Sequence, residues 1–218
     1  MQSEPYYTLV HKNSFEVYSG RSVSKAGQYL LSRGIDPKAV APYLHDVTFS
    51  DKGGKPKKGF GIENVSGGFE IRRAGDWAKI AVGHKDVSVF LASRDHAPWH
   101  TFYSMIDFCT FLCLDKPPIG TYNYLIVNGD GLVEKAEKVI ESLPVGTMIH
   151  YPHSDLSGQK AYQRLLQFAT DLGWGGGDRA HLYEGFKDWT EKRENELGLD
   201  RKVVATPQGV PGFKPRLG

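Results

Sequence analysis

The chain has 218 residues, of which 40% are hydrophobic and 24% charged, and its 27 lysines and arginines against 25 acids leave a formal net charge of +2 at pH 7. That length supports a substantial core without covalent staples, in one domain or two small ones. The near-neutral balance speaks neither for nor against a nucleic-acid partner, so what matters is where the charges sit.

The opening Met1-Gln2-Ser3-Glu4-Pro5-Tyr6-Tyr7 has neither the basic end nor the apolar stretch of a secretion signal. No later run approaches the roughly 18 apolar residues of a membrane span, so a cytoplasmic protein with no membrane partner is expected. The two cysteines, Cys109 and Cys113, fall in the apolar run Phe108-Cys109-Thr110-Phe111-Leu112-Cys113, which reads as a buried helix. Two thiolates on one turn cannot complete a tetrahedral zinc site, and they read as small core residues in a reducing compartment.

Residues 1–21 carry aromatics without periodicity and are expected to form an N-terminal arm or edge strand. From Ser22, a candidate N-cap, the spacing puts Ala26, Tyr29 and Leu30 on one helical face, and Gly34 ends that helix. Asp36-Pro37 restarts a helix running to about His45. A β-rich stretch follows: Val47-Thr48-Phe49, the basic loop Asp51-Lys52-Gly53-Gly54-Lys55-Pro56-Lys57-Lys58, and a hairpin around Ser66-Gly67-Gly68. A strand at about 78–82, set off by Ala74-Gly75-Asp76, closes a small helix-plus-β-hairpin subdomain over residues 22–86.

From Val87 the pattern alternates. Strands are expected at 87–91, 124–127 and 147–151, with helices at about 101–114, 132–142 and 156–172. This is α/β alternation, and it predicts a mostly parallel sheet with helices on both faces over residues 87–200. Gly173-Trp174-Gly175-Gly176-Gly177 reads as a turn closing the last helix and not as a phosphate loop, because no Gly-Lys-Ser/Thr signature is present. His181-Leu182-Tyr183 looks strand-like, 189–197 reads as a short charged helix, and 201–218 as a flexible tail.

In an open parallel sheet functional groups gather at the carboxyl ends of strands. Three acids fall there: Asp107 in the helix after the first strand, Asp155 after the strand ending at Tyr151, and Asp188 after the strand-like segment. Converging carboxylates could hold magnesium. Asp155 serves equally well as a cap for the helix beginning at Leu156, and Asp188 on its own reads better as a helix start beside Trp189. Asp107, mid-helix among apolar residues, needs a partner if it is buried.

The order of the pieces carries a resemblance. Tyr29-Leu30-Leu31-Ser32-Arg33-Gly34-Ile35, Phe60-Gly61-Ile62-Glu63-Asn64, Gly67-Gly68-Phe69-Glu70-Ile71-Arg72 and Val87-Ser88-Val89-Phe90 are followed by Leu125-Ile126-Val127-Asn128, Asp155-Leu156-Ser157-Gly158-Gln159-Lys160-Ala161 and Tyr183-Glu184-Gly185-Phe186-Lys187-Asp188-Trp189. Over residues 22–197 this chain resembles the toprim-like proteins related to bacterial primases, many of them carried by mobile elements. The resemblance implies a toprim-like sheet and two acidic motifs, Glu-Gly-x-x-Asp and Asp-x-Asp-x-x-Gly. On this chain the first becomes Tyr103-Ser104-Met105-Ile106-Asp107, and the second becomes His153-Ser154-Asp155-Leu156-Ser157-Gly158.

The family's glutamate is therefore Tyr103 here, its first aspartate is His153, and Asp188 stands for the later acid. The implied metal set is Asp107, His153, Asp155 and Asp188, with Asp107 and Asp155 the candidates for any catalytic role. A neutral phenol does not replace a carboxylate, and an imidazole suits manganese or zinc better than magnesium. Manganese or magnesium is the cofactor to consider, with poor magnesium affinity and weak or absent catalysis expected.

No cysteine set precedes residue 22, so the family's zinc-ribbon module is not expected in these residues. What survives is a basic surface: Lys52, Lys55, Lys57 and Lys58 in the loop and Arg72, Arg73, Lys79 and Lys85 around the hairpin, where similar primases present their template-binding side. DNA or RNA is the expected partner, with Trp77 and Trp99 available for stacking. The leading expectation is a degenerate primase-related protein that binds nucleic acid or a nucleic-acid-processing partner. The alternatives are an active metal-dependent nucleotidyl transferase or nuclease with a remodelled site, and a protein-interaction regulator docking on replication or mobile-element proteins.

Overall fold

In the computed structural model, the described residues are 5–73 and 78–199. The chain opens with Thr8–Ser14 (β1), a two-strand ribbon of Tyr18–Ser19 (β2) and Ser22–Val23 (β3), and the helices Lys25–Ser32 (α1) and Pro37–Val40 (α2). Ser22 lies in β3, and the cap of α1 is Ser24, whose side chain accepts from the Gly27 amide. Asp36 caps α2 as expected, with Pro37 in the first turn. That helix stops short of His45 because Pro42, which has no amide to donate, turns the chain into a single 3-10 turn, Ala41–Tyr43.

His45–Ser50 (β4), Pro56–Glu63 (β5), Phe69–Arg73 (β6) and Lys79–Val82 (β7) then build, with β1, an antiparallel sheet in the order β1-β4-β5-β6-β7. The expected hairpin is thus part of a five-stranded sheet, and residues 8–14 form its edge strand. The sheet bends back on itself: the Gly83 amide donates to the Tyr7 carbonyl at 2.9 Å, bringing the end of β7 to the start of β1. Strands β5 and β6 approach closely at Gly61, where a Cβ would come 2.0 Å from the Glu70 carbonyl oxygen. The concave face of the sheet encloses Val47, Phe49, Phe69, Ile71 and Val82, with Tyr7, Leu9 and Ile80 packed against them.

The second half comprises Ser88–Phe90 (β8), Trp99–Phe102 (β9), Met105–Asp115 (α3), Asn123–Ile126 (β10), Val133–Glu141 (α4), Thr147–Tyr151 (β11), Leu156–Asp171 (α5), Gly175–Asp178 (β12) and Trp189–Glu196 (α6). The sheet order is β12-β11-β9-β10-β8, parallel except for the antiparallel edge strand β8. Alternation along the strands separates two faces. Phe102, Tyr124, Ile126 and Tyr151 face α3 and share one core with Tyr29, Leu30, Phe60 and Ile62 from the first half. Trp99, Leu125 and Met148 face the other way, under Val133, Ala136 and Ile140 of α4 and Ala161, Leu165 and Ala169 of α5. The expected α/β architecture, with helices on both faces, is present.

Three local expectations differ. Residues 99–102 are the central strand β9 and not the start of a helix; all four are buried, and a strand covered on both faces has the same continuous apolar pattern as a buried helix. Gly175–Asp178 is the edge strand β12 and not a turn. Gly176 permits it, since its φ is +136° and a Cβ there would lie 1.8 Å from the Met148 carbonyl oxygen. His181-Leu182-Tyr183 sits in a 3-10 turn, Ala180–Tyr183. Trp99 is 5% exposed and has no face free for a base; Trp77 and the expected tail, 201–218, lie outside the described residues.

Candidate functional site

Because α3 begins at Met105, Asp107 sits in its first turn and not mid-helix. Ser104 caps the helix through the Asp107 amide, and its hydroxyl donates back to Asp107 Oδ2 at 2.5 Å, a reciprocal arrangement related to the capping box. The same oxygen meets His153 Nε2 at 2.8 Å, just past the carboxyl end of β11. Asp107 Oδ1 accepts from the Thr190 hydroxyl at 2.7 Å and from the Thr190 amide at 3.3 Å. Asp188 completes the edge: ligand-type atoms of Asp107, His153 and Asp188 all lie within 4.8 Å of one another.

The electrostatics follow from this crowding. Burial pushes the Asp107 pKa up, but the hydrogen bond and charge of His153, with the Ser104 and Thr190 hydroxyls, outweigh burial and hold it below the ordinary carboxyl value. Burial alone would lower His153; its bond to Asp107 and the nearby charges of Asp107, Asp188 and Asp130 raise it instead. A protonated imidazole paired with a carboxylate is the favoured state of the edge.

Tyr103 borders this group, its ring centroid 6.3 Å from that of His153. Its ring is fully buried on the α4–α5 side of the sheet, and its hydroxyl reaches His150 Nδ1 at 3.5 Å. His150 in turn lies against the Tyr162 ring of α5. The converging group contains no glutamate among the described residues. Asp155 stands outside it, accepting from the Gly158 amide as the cap of α5 and pairing with Lys187 at 2.6 Å. Sequence reasoning overlooked Thr190, Asp130 and Lys187, none of which belongs to an acidic motif.

Two carboxylates and an imidazole are, by chemistry, a set for manganese or zinc in preference to magnesium. In this arrangement protein donors engage the same atoms. Each Asp107 oxygen already takes two donors, His153 Nε2 is directed at the carboxylate, and Asp188 accepts from the Glu191 amide as the cap of α6. A hard cation bound at Asp107 would have to displace some of these donors.

A groove of about 790 Å³ opens between β7 and the start of α4, lined among others by Tyr6, Tyr7, Lys79, His84, Lys85 and Lys135. None of its described lining residues is acidic. Lys79 crosses from the antiparallel sheet to the parallel one, donating to the Asn128 carbonyl beyond β10 at 3.0 Å. Lys57 lies 5.1 Å over the Tyr7 ring while paired with Asp51 at 2.5 Å, so it touches the groove's rim. Lys52, Lys55 and Lys58 are exposed on the neighbouring loop and strand, whereas Arg72 and Arg73 are half-buried, Arg72 being 3.8 Å from buried Glu70. The sequence reading missed Lys135 because it belongs to an ordinary amphipathic helix.

A family model described only as a domain of unknown function (DUF8464) matches residues 24–82. No curated protein matches the sequence. Among solved structures, the chain is similar to the primase fragment of the bacteriophage T7 primase-helicase protein, with a TM-score of 0.55 at 17% identity over 80% of this chain and 70% of that one. It is also similar to a chain of a bacteriophage T7 assembly, the lagging-strand DNA polymerase interacting with primase domains of two gp4 subunits bound to an RNA/DNA hybrid and dTTP. There the TM-score is 0.55 and the identity 15%, over 77% of this chain and 85% of that one. The fold resembles that of a primase fragment. Among the described residues no helix is long and apolar enough to cross a membrane.

Proposed function

We propose that this chain is a degenerate toprim-like, primase-related protein, of the kind carried by mobile elements, that binds nucleic acid and performs no robust divalent-metal chemistry of its own. The observation that carries the binding reading is the groove, in which Lys79, Lys85, Lys135 and His84 surround open space beside the exposed ring of Tyr6, with Lys79 3.6 Å from Glu70 and Lys135 3.1 Å from Asp86. Ammonium groups so placed neutralise phosphates and release counterions, and an exposed ring offers a base a stacking surface. The primase-related fold supports the same reading. Support for weak chemistry comes from Asp107, whose oxygens are spent on four protein donors.

The test is filter retention at low salt with single- and double-stranded DNA and RNA of one length. Binding to at least one of the four, weakened by Lys85→Glu and Lys135→Glu, is expected. Failure to retain any of them overturns the nucleic-acid reading and leaves docking on a replication or mobile-element protein as the function to pursue.

A further inference from the structure

We infer that the carboxyl edge of the parallel sheet has become a clasp for the C-terminal helix α6, so that docking of α6 and binding of a divalent cation at Asp107 exclude one another. The inference rests on the metal-poor half of the reading above and not on the groove.

Helix α6 is attached by one aromatic side chain, Trp189, and otherwise by polar contacts. Its sequence, Trp189-Thr190-Glu191-Lys192-Arg193-Glu194-Asn195-Glu196, offers no hydrophobic stripe, and its two buried residues are polar, Thr190 and Glu194, one turn apart on the same face. An isolated eight-residue helix is unstable in water, so tertiary contacts must hold it. Trp189 stacks on Tyr151 with ring centroids 5.4 Å apart. Trp189 also lies against Tyr183 and Phe111, with ring centroids 6.2 and 6.1 Å away, and polar anchors follow along the helix: Thr190 to Asp107 at 2.7 Å and to Thr110 at 2.9 Å, and Glu194 to Arg33 at 2.6 Å.

The same atoms would have to change partners for a cation to bind. Freeing Asp107 Oδ1 requires Thr190 to withdraw both its hydroxyl and its amide. Recruiting Asp188 through Oδ1 takes the cap from α6, because that atom accepts from the Glu191 amide at 2.7 Å. Both steps loosen the first turn of α6, while neither touches the lysine groove.

The experiment uses the full chain and two readouts, manganese binding by electron paramagnetic resonance and hydrogen exchange of the amides in α6. In the wild type, α6 should be protected in EDTA and lose protection as manganese binds. Thr190→Val, which removes one hydroxyl donor to a charged group, should bind manganese about tenfold more tightly and exchange faster in α6. Thr190→Ser should restore both properties, and exchange across β9–β11 serves as the control for folding. Manganese bound with α6 protection unchanged, binding to neither wild type nor Thr190→Val, or wild-type behaviour of Thr190→Val in both readouts would each overturn the inference. Nucleic-acid retention, measured separately, is expected to be unaffected by Thr190→Val, so the two readings fail independently.

Discussion

His153 Nε2 lies 2.8 Å from Asp107 Oδ2, and this pair joins the loop after β11 to the first turn of α3 with both side chains largely out of solvent. Removing one member of a buried pair strands the other, so Asp107→Ala should cost about 3–5 kcal/mol in urea unfolding at neutral pH. The pH dependence has two limbs. Asp107 is held low, so its share is present above the ordinary carboxyl value of about 4 and drains as pH falls through the lower folded value. His153 is raised, so its share is complete below the ordinary imidazole value of about 6.5 and drains as pH rises through the folded value. The stability difference between wild type and Asp107→Ala should therefore plateau between roughly pH 4 and 6.5 and shrink on either side.

A second titration comes from the core. Burial pushes His100 and His150 each down to about 4. Between that value and about 6.5 the unfolded chain binds more protons at these positions than the folded one, so stability falls as pH falls. Thermal midpoints should begin to drop near pH 6.5, well before carboxylates titrate, and His150→Leu should flatten that slope.

Gly61→Ala would drive a methyl group against the Glu70 carbonyl and the Ile71 backbone. Both obstacles are main chain in the adjacent strand and cannot rotate away. A loss of about 1–3 kcal/mol is expected in chemical denaturation, with the larger values if the close approach of β5 and β6 is lost.

For the groove, salt dependence distinguishes phosphate contact from base contact. Lys85→Gln should weaken binding to all sequences alike and lower the slope of log K against log salt by about 1, as loss of one phosphate contact does. Tyr6→Ala should lower affinity with the slope unchanged, because stacking releases no counterions. An unchanged slope in Lys85→Gln would remove that lysine from the interface.

The legible parts of the fold were those with an uninterrupted local pattern. Strand β11 has the expected limits, and α5 begins at the expected Leu156, because a capping aspartate precedes sixteen residues of helical periodicity. Strand β9 was hidden because its four buried residues run almost directly into the apolar α3, leaving no change of period to mark the boundary. Strand β12 was hidden because its glycines signal a turn wherever the neighbouring backbone is unknown. At the edge, Asp107, His153 and Asp188 could be suspected from their order along the chain. Thr190 could not, since its bond to Asp107 spans 83 residues and a threonine in a charged helix carries no chemical signature. Nor does sequence show which donors surround a carboxylate, and for Asp107 there are four such bonds.

Fluorescence anisotropy of the full chain with a labelled single-stranded oligonucleotide, run at low salt in EDTA and again in manganese or magnesium, tests the central claim most directly. Equal affinity in all three conditions, falling steeply with added salt, is the predicted result. Binding that appears only when a divalent cation is supplied, or no binding in any condition, would contradict it.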